Sequence, residues 1–187
     1  MKKCVLFLFV ISTTLFTSCS SDDDAVAPFV ADASLIPGEW NLVDVKSENG
    51  TFTTTVQGLP ISGTYTISGK DYNASVTLTE ATVENEPSTL SSNGGFTLVA
   101  TFSIPLQEPI TVEEVVPEFL GTGEWTVNNN TLTTTVQGEI QSFEIIALSA
   151  QAMTLKLIIN EETTVETALG TLTLTITGDQ FIELIKQ

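Results

Sequence analysis

Apolar and polar residues alternate one by one along most of the chain from Leu35 onward. The alternation is clearest in SVTLT at residues 75–79, in FTLVATFSI at 96–104 and in TLTLTIT at 171–177. A period of two places successive side chains on opposite faces of an extended strand. Threonine fills most polar positions and Leu, Ile, Val and Phe most apolar ones. This pattern predicts antiparallel sheet with one face buried and the other in water.

Short segments rich in Gly, Asn and Ser separate the alternating runs. They predict turns at SENG (residues 47–50), SGK (68–70), SSNGG (91–95) and VNNN (127–130). Sequential strands joined by tight turns favour an up-and-down meander, and closing the sheet removes its exposed edges. The sequence therefore predicts an all-β fold, an antiparallel meander that closes into a barrel of about eight to ten strands. A β-sandwich is the alternative.

The hexapeptide TTTVQG occurs at residues 53–58 and again at 133–138, each time downstream of a GEW tripeptide. The first copy begins 13 residues after Trp40 and the second begins 8 residues after Trp125. A tandem duplication would keep one period. We therefore interpret the two copies as similar strands, each following a strand that starts at GEW.

Two segments interrupt or blur the alternation. Residues 104–123 contain Pro105, Pro109 and Pro117, which disfavour a central strand and predict a long surface loop. A lid over the barrel mouth is the functional alternative for this loop, because long loops in compact domains often carry function. Residues 178–187 fit either a last strand or a short helix capped at Asp179.

The first residues of the chain have the features of an export signal. Lys2 and Lys3 precede an apolar stretch that ends in LFTSC, with the small residue Ser18 before Cys19. This pattern predicts a signal peptide over residues 1–18. Its end resembles a bacterial lipobox, which implies that Cys19 carries fatty acyl chains such as palmitate. Two or three acyl chains are enough for stable membrane anchoring.

The residues after Cys19 resemble the surface-export signal of Bacteroidota lipoproteins. That signal is an acidic run directly after the lipidated cysteine, here Ser20, Ser21, Asp22, Asp23 and Asp24. The resemblance implies a protein anchored in the outer leaflet of the outer membrane and exposed at the cell surface, whereas a solvated tether is the simpler alternative. We assign residues 19–34 to a lipidated acidic tether, with a flexible spacer at 25–34, and residues 35–187 to the barrel domain.

The two GEW tripeptides carry a second resemblance. Gly38 and Trp40 open the first predicted strand, as the G-x-W motif does in lipocalins and related calycins. Gly123 and Trp125 begin GEWTVNNNTLTTT, which resembles the middle strand pair of lipocalin-like domains in Bacteroidota lipoproteins. The resemblance implies that the Trp packs across the closed end of a barrel. The chain departs from it by lacking the Arg that many lipocalins stack on this Trp, which puts the closed end in question. We interpret Trp40 and Trp125 as core residues rather than ligand contacts.

Charge and composition exclude several functions. The formal charge is −17, with 23 Asp and Glu against 6 Lys, no Arg and no His. Such a chain repels nucleic-acid backbones, and without His it has no Ser–His–Asp triad and no His-ligated metal. Both cysteines, Cys4 and Cys19, lie in the leader region. The EE pairs at 113–114 and 161–162 each point to opposite strand faces and do not converge by themselves. We therefore predict no catalytic activity, no metal and no cofactor.

These observations together predict a lipid-anchored surface protein of the outer membrane with a lipocalin-like barrel. The expected partners are the membrane, through the anchor at Cys19, and a small hydrophobic ligand inside the barrel, as the family resemblance implies. The alternative is a barrel filled by its own side chains that serves as a structural or protein-interaction module for a surface membrane complex. The sequence names neither the ligand nor a protein partner.

Overall fold

The computed structural model describes residues 29–167 and 170–187 of the chain. The predicted signal peptide, Cys19 and the acidic run from Ser20 to Asp24 lie outside these residues. No helix within the described ranges has the length and apolar character needed to span a bilayer. A 3-10 turn at Ala33–Leu35 precedes the strands, which are β1 Gly38–Val56, β2 Leu59–Lys70, β3 Ser75–Thr79, β4 Ser88–Asn93, β5 Phe96–Ser103, β6 Ile110–Val116, β7 Thr122–Asn128, β8 Thr131–Val136, β9 Glu139–Leu148, β10 Ala152–Thr167 and β11 Gly170–Lys186.

The strands form one antiparallel sheet, and eight of them close into a ring. The sheet order is β11-β10-β9-β8-β7-β4-β3-β1-β2-β5-β6, and a further pairing joins β11 to β1. The closed ring therefore runs β1-β3-β4-β7-β8-β9-β10-β11 and back to β1. Closure satisfies the backbone hydrogen-bonding groups that an open sheet would expose at its edges. The predicted all-β barrel is confirmed, and its architecture is consistent with a lipocalin-like barrel.

Three strands leave the ring and form an extension. β2 pairs with β1 from Lys46 onward, β5 pairs with β2, and β6 pairs with β5. This arrangement is possible because β1, β10 and β11 are long: their halves nearest the ring belong to the barrel, and their other halves continue beyond it. The extension is thus a curved sheet in the order β10-β11-β1-β2-β5-β6. Its outer strands, β6 and β10, do not pair with each other.

The structure corrects the expected loop at residues 104–123. The central part of this segment, Ile110–Val116, is strand β6. Proline is tolerated here because β6 is an edge strand, and Pro109 and Pro117 stand just outside its two ends. The same topology shows that the ambiguous residues 178–187 are strand: Gln180 to Lys186 pair with β1.

The predicted turn at SENG is wrong as well, because β1 continues through it. Both pairing registers of β1 shift between Ser47 and the following Gly50 or Thr51. Asn49 has a φ of 59°, which marks a bulge in a continuous strand. The bulge bends β1 where it passes from the ring into the extension.

The repeated TTTVQG sequences are explained by turn geometry. In the first copy Val56 pairs with Leu59, and in the second Val136 pairs with Glu139, so each Gln-Gly forms a two-residue hairpin turn. Both turn residues have positive φ in each copy: 52° and 83° in the first, 54° and 87° in the second. Positive φ at both positions defines the type I′ turn that matches strand twist. The expectation that each copy follows a separate GEW strand holds for β7 and β8 but is wrong for the first copy, which shares β1 with Trp40.

The segment before the barrel is attached to it. Asn130, in the turn between β7 and β8, accepts a hydrogen bond from the Ala31 amide (2.8 Å) and donates one to the Phe29 carbonyl (2.7 Å). Asp32 accepts hydrogen bonds from the amide and hydroxyl of Ser34 and caps the 3-10 turn. The described part of the expected spacer is therefore held against the barrel wall rather than free.

Candidate ligand-binding site

Trp40 closes one end of the ring. The side chain has no exposed surface, and its indole N–H donates to the Ile36 carbonyl at 2.8 Å. Lys186 covers the ring face, with its Nζ 4.9 Å from the ring centroid and 2.9 Å from the Leu35 carbonyl oxygen. The sequence raised a doubt here because the chain lacks Arg, and the structure shows that a lysine at the end of β11 supplies the missing cation.

Gly38 makes this arrangement possible. Its φ of 140° disfavours other residues, and a Cβ at this position would collide with Cε of Lys186. In the G-x-W motif the tryptophan thus lies in the ring, and the glycine two residues earlier leaves the space for the lysine side chain that covers it. The second GEW has a different role. Trp125 is buried in the wall between β4 and β8 and donates to the Thr79 carbonyl at 3.2 Å, while a Cβ on Gly123 would collide with the Thr135 carbonyl.

Apolar side chains fill the interior of the ring. Every one of the eight ring strands contributes at least one buried residue to a single cluster, and Ile36 plugs its end. The cluster includes Leu42 and Val45 of β1, Val76 and Leu78 of β3, Leu90 of β4, Trp125 of β7, Leu132 of β8, Phe143 and Ile145 of β9, Met153 and Leu155 of β10, and Ile182 and Leu184 of β11. An eight-stranded barrel is just wide enough to be filled in this way. The expected ligand cup therefore does not lie at the centre of this ring.

A second, smaller apolar cluster forms the floor of the extension. Its buried members are Phe52, Tyr65, Ile159, Leu174 and Ile176. Two aromatic rings lie flat over glycines of the neighbouring strand: Tyr65 over its cross-strand partner Gly50, and Phe52 over its partner Gly63. In both places a Cβ would collide with the ring. Glycine thus allows the aromatic rings to cover the sheet, as in aromatic rescue of strand glycines.

A cavity lies beside this second cluster, at the end of the extension away from the ring. We call the cavity there the end pocket, and its volume is about 270 Å³. Its walls come from β1, β2, β5, the segment joining β5 to β6, the start of β6, β10 and β11, and they are almost wholly apolar. The main lining side chains are Phe52, Val56, Ile61, Phe102, Ile104 and Leu172. Small-molecule sites are usually concave and mostly apolar in this way, with few polar groups.

A second cavity lies along the gap between β6 and β10, and we call it the seam pocket. Its volume is about 440 Å³, and it shares Phe102 and Val165 with the end pocket. Its walls are apolar on the β2 and β5 side, where Ile67, Leu98 and Ala100 lie. The edges facing each other across the gap carry carboxylates.

The carboxylates of the seam pocket come from the two EE pairs. Glu114 of β6 and Glu161 of β10 both line it, and each is on the inward face of its strand: Glu114 lies two residues from the lining residue Val112, and Glu161 lies two residues from buried Ile159. Glu162 points to the other face and contributes to a depression on the outside of the sheet. Neither EE pair converges by itself, as expected, but the topology brings Glu113, Glu114 and Glu161 to the same cavity.

The lysines of the described residues are all engaged elsewhere. Lys46 pairs with Glu183 (2.7 Å) and Asp44 (3.0 Å), and these partners raise its pKa. Lys70 pairs with Glu113 (2.6 Å), and Lys156 pairs with Asp179 (3.2 Å) and Glu144 (3.7 Å). Within the described residues, Glu114 and Glu161 have no lysine in ion-pair contact. The seam pocket is therefore lined by two carboxylates without a lysine partner, Glu114 and Glu161, and by Glu113, which is paired with Lys70.

Tyr65 lies in the wall of the seam pocket and is only 2 % exposed. Its hydroxyl lies over Gly178 of β11, beside the Ser47 hydroxyl, and forms no hydrogen bond of standard geometry. Burial raises the pKa of the Tyr65 phenol, because the phenolate would lose its hydration. Among the residues that the structure describes, no group of three His, Cys, Asp or Glu side chains is arranged to hold a metal ion.

The structure buries Trp40 and Trp125 and leaves no room for a Cβ at Gly38 or Gly123, while Cys19 and residues 20–24 lie outside the described chain. Sequence reasoning did not locate either cavity. The alternation identified the inward residues of β1, β5 and β11, but nothing local indicates which strands leave the ring. The two EE pairs were the available signal, and their meaning depends on β6 and β10 facing each other.

Comparison with known proteins adds no family assignment. No protein-family model matches the sequence, and the searches of curated proteins and of solved structures returned no match. The chain is therefore characterised by its architecture alone. It is an all-β protein with a closed, eight-stranded antiparallel barrel, consistent with a lipocalin-like barrel, and three additional strands extend this barrel.

Proposed function

We propose that the protein is a non-enzymatic, lipid-anchored protein of the bacterial cell surface that binds a small apolar ligand in the end pocket of its extension. The single observation that carries the binding proposal is the contrast between the two halves of the molecule. The ring is filled by its own side chains, whereas the extension leaves an apolar hollow of about 270 Å³. A preformed apolar cavity in an otherwise well-packed protein is the usual form of a ligand site.

The anchor and the location rest on the leader sequence. The positive residues, the apolar stretch and Ser18-Cys19 favour lipidation at Cys19, and the run to Asp24 favours surface export. The net charge of −17 opposes adsorption to anionic lipid through the protein surface, so acyl chains are the expected means of attachment.

The absence of catalysis is argued from the chemistry of the available groups. The chain contains no His, and the three carboxylates that line the seam pocket, Glu113, Glu114 and Glu161, are all exposed to solvent. A carboxylic acid that donates a proton near neutral pH usually needs burial to hold that proton. These groups lack that environment.

A protein-interaction module is the second candidate function. The filled ring favours it, because a ring without a cavity offers only its surface and the extension for binding. The unpaired edges of β6 and β10 are available to a partner strand, as in other proteins that bind extended peptides. The experiment below separates the two candidates.

The test is native mass spectrometry of the chain from residue 25 onward, which contains every strand and both apolar clusters described above. A single cooperative urea transition establishes first that this form is folded. A stoichiometric added mass, carried through purification or gained from 1-decanol, is the expected result. A bare mass with no uptake would favour the interaction module.

Two matched variants locate the ligand. Ile61→Trp places a large ring in the end pocket and is expected to abolish uptake. Leu59→Trp adds the same ring two residues away on β2, at a position that is 68 % exposed, and should leave uptake unchanged. Undiminished ligand uptake by both variants would place the ligand outside the end pocket.

A further inference from the structure

We infer that the ligand of the extension is an amphiphile with a cationic head, whose apolar tail occupies the end pocket and whose head lies in the seam pocket. This inference rests on the proposed function and names the chemical class of its ligand. It follows from the order of the two cavities along the extension. They share Phe102 and Val165, so a chain that leaves the end pocket enters the seam pocket.

The chemistry changes along this path. The end pocket is lined almost wholly by aliphatic and aromatic side chains, whereas the seam pocket adds Glu113, Glu114 and Glu161 from its two facing edges and Gln180 from β11. Lys70 is paired with Glu113 and Lys156 with Asp179, which leaves Glu114 and Glu161 without a lysine partner. A head with positive charge would meet two uncompensated carboxylates, and an anionic head would be repelled by them.

Tyr65 places a polar group in the wall of the seam pocket. Its hydroxyl is buried there beside the Ser47 hydroxyl and forms no hydrogen bond of standard geometry. Buried polar groups in native proteins are nearly always paired, because an unpaired group loses its hydration without compensation. The polar head of a ligand would bring hydrogen-bonding groups into this wall.

The two inward carboxylates have a competing structural explanation. Charged residues that point inward from edge strands prevent one sheet from adding to another. On that explanation, neutralising Glu114 and Glu161 would promote self-association and would not alter the preference for a ligand head.

Three probes with the same tail distinguish these explanations: decylammonium, 1-decanol and decanoate, each below its micelle concentration. Binding to the chain from residue 25 onward is measured by calorimetry at low and high salt. We expect decylammonium to bind roughly fivefold more tightly than decanol at low salt, since two exposed ion pairs each contribute modestly, and decanoate to bind most weakly. The preference should shrink as salt is added.

The variants are chosen to have equal charge. Glu114→Gln with Glu161→Gln should remove the preference for decylammonium over decanol and leave decanol binding unchanged. Glu124→Gln with Glu162→Gln changes the net charge by the same amount, with Glu162 on the outer face and Glu124 exposed on β7 of the ring, and should retain the preference. If both double variants lost the preference for decylammonium equally, only the overall charge of the protein would attract the cation, and the inference would be overturned.

The outcomes also separate this inference from the proposed function. Decanol binding without any preference for decylammonium would overturn the cationic head and leave the apolar site standing. No binding of any of the three probes would overturn both. Dimer formation by the Glu114→Gln, Glu161→Gln variant with unchanged ligand preference would support the edge-protection explanation instead.

Discussion

Replacing Lys186 by Met tests whether a single cation holds the closed end of the ring. Met keeps an unbranched apolar stem of similar length and removes the ammonium group. The change removes two contacts of Nζ: the hydrogen bond to the Leu35 carbonyl at 2.9 Å and the approach to the Trp40 ring at 4.9 Å. No carboxylate takes part in either contact, so this lysine differs from the other lysines of the described residues.

The magnitude follows from these contacts. A hydrogen bond from a charged donor contributes about 1.5–3 kcal/mol. A partly exposed cation–π contact contributes about 0.5–1 kcal/mol. The two share one ammonium group and are not fully additive. We expect Lys186→Met to lower the free energy of unfolding by about 2 kcal/mol, which corresponds to a fall in Tm of about 4–8 °C for a chain of this size.

The assay is urea unfolding followed by Trp fluorescence, and Lys156→Met is the matched control. Lys156 pairs with Glu144 and Asp179 at the surface, where such pairs contribute about 0–1 kcal/mol and are screened by salt. Both variants lose one positive charge, so the added repulsion within an acidic protein is the same. The loss in Lys186→Met should persist at high salt, whereas any loss in Lys156→Met should shrink. Equal, salt-sensitive losses in the two variants would refute a specific role for Lys186 at the closed end.

Three further predictions concern separate features of the fold. Gly58→Ala and Gly138→Ala should each lower the free energy of unfolding, measured with urea, by about 1 kcal/mol, because φ is 83° and 87° at these positions. A Cβ would meet nothing within 4 Å there, so the loss would report backbone strain alone. An unchanged free energy of unfolding would contradict the type I′ assignment. Asn130→Ala should increase amide hydrogen exchange at residues 29–31 without changing exchange in the strands, since it removes both hydrogen bonds that hold this segment; unchanged exchange there would show that other contacts hold it. Tyr65→Phe should change the stability of the unliganded protein little at neutral pH, because the hydroxyl forms no hydrogen bond of standard geometry. Burial raises the Tyr65 pKa above its ordinary value of 10.0, so folding keeps the phenol protonated and the wild type loses stability as pH rises above 10. The variant should therefore lose less stability than the wild type between neutral pH and pH 11, and identical alkaline losses would count against this explanation.

The alternation of residues was sufficient to identify several strands and their buried faces. In β3 and β11 the positions predicted to face inward, such as Val76, Leu78, Leu174 and Ile176, are buried. The Gln-Gly turns of the two TTTVQG copies were not among the predicted turns, yet they too depend on local conformation, since both turn residues have positive φ in each copy. These features depend on residues that are neighbours in the chain, and so the sequence alone can reveal them.

The sequence could not show which strands pair across the molecule. SENG has the composition of a turn, yet a bulge at Asn49 lets β1 continue, because pairing with β11 on one side and β2 on the other outweighs the local preference. Residues 110–116 are flanked by prolines and looked like a loop, but an edge strand needs hydrogen bonds on one side only. Local propensity is a weak predictor wherever tertiary pairing supplies the backbone partners.

The sequence by itself determined an all-β chain with one wet face, no histidine chemistry and two tryptophans in the core. The tertiary structure decided that apolar side chains fill the ring and that Lys186 covers Trp40, where many lipocalins have an Arg. It also decided that Glu114 and Glu161 line one cavity between the facing edges of β6 and β10. The physical reason is range. Side-chain alternation and turn chemistry act over a few residues, whereas cavities and facing edges depend on contacts between strands far apart in the chain, and those contacts form only when the whole sheet closes.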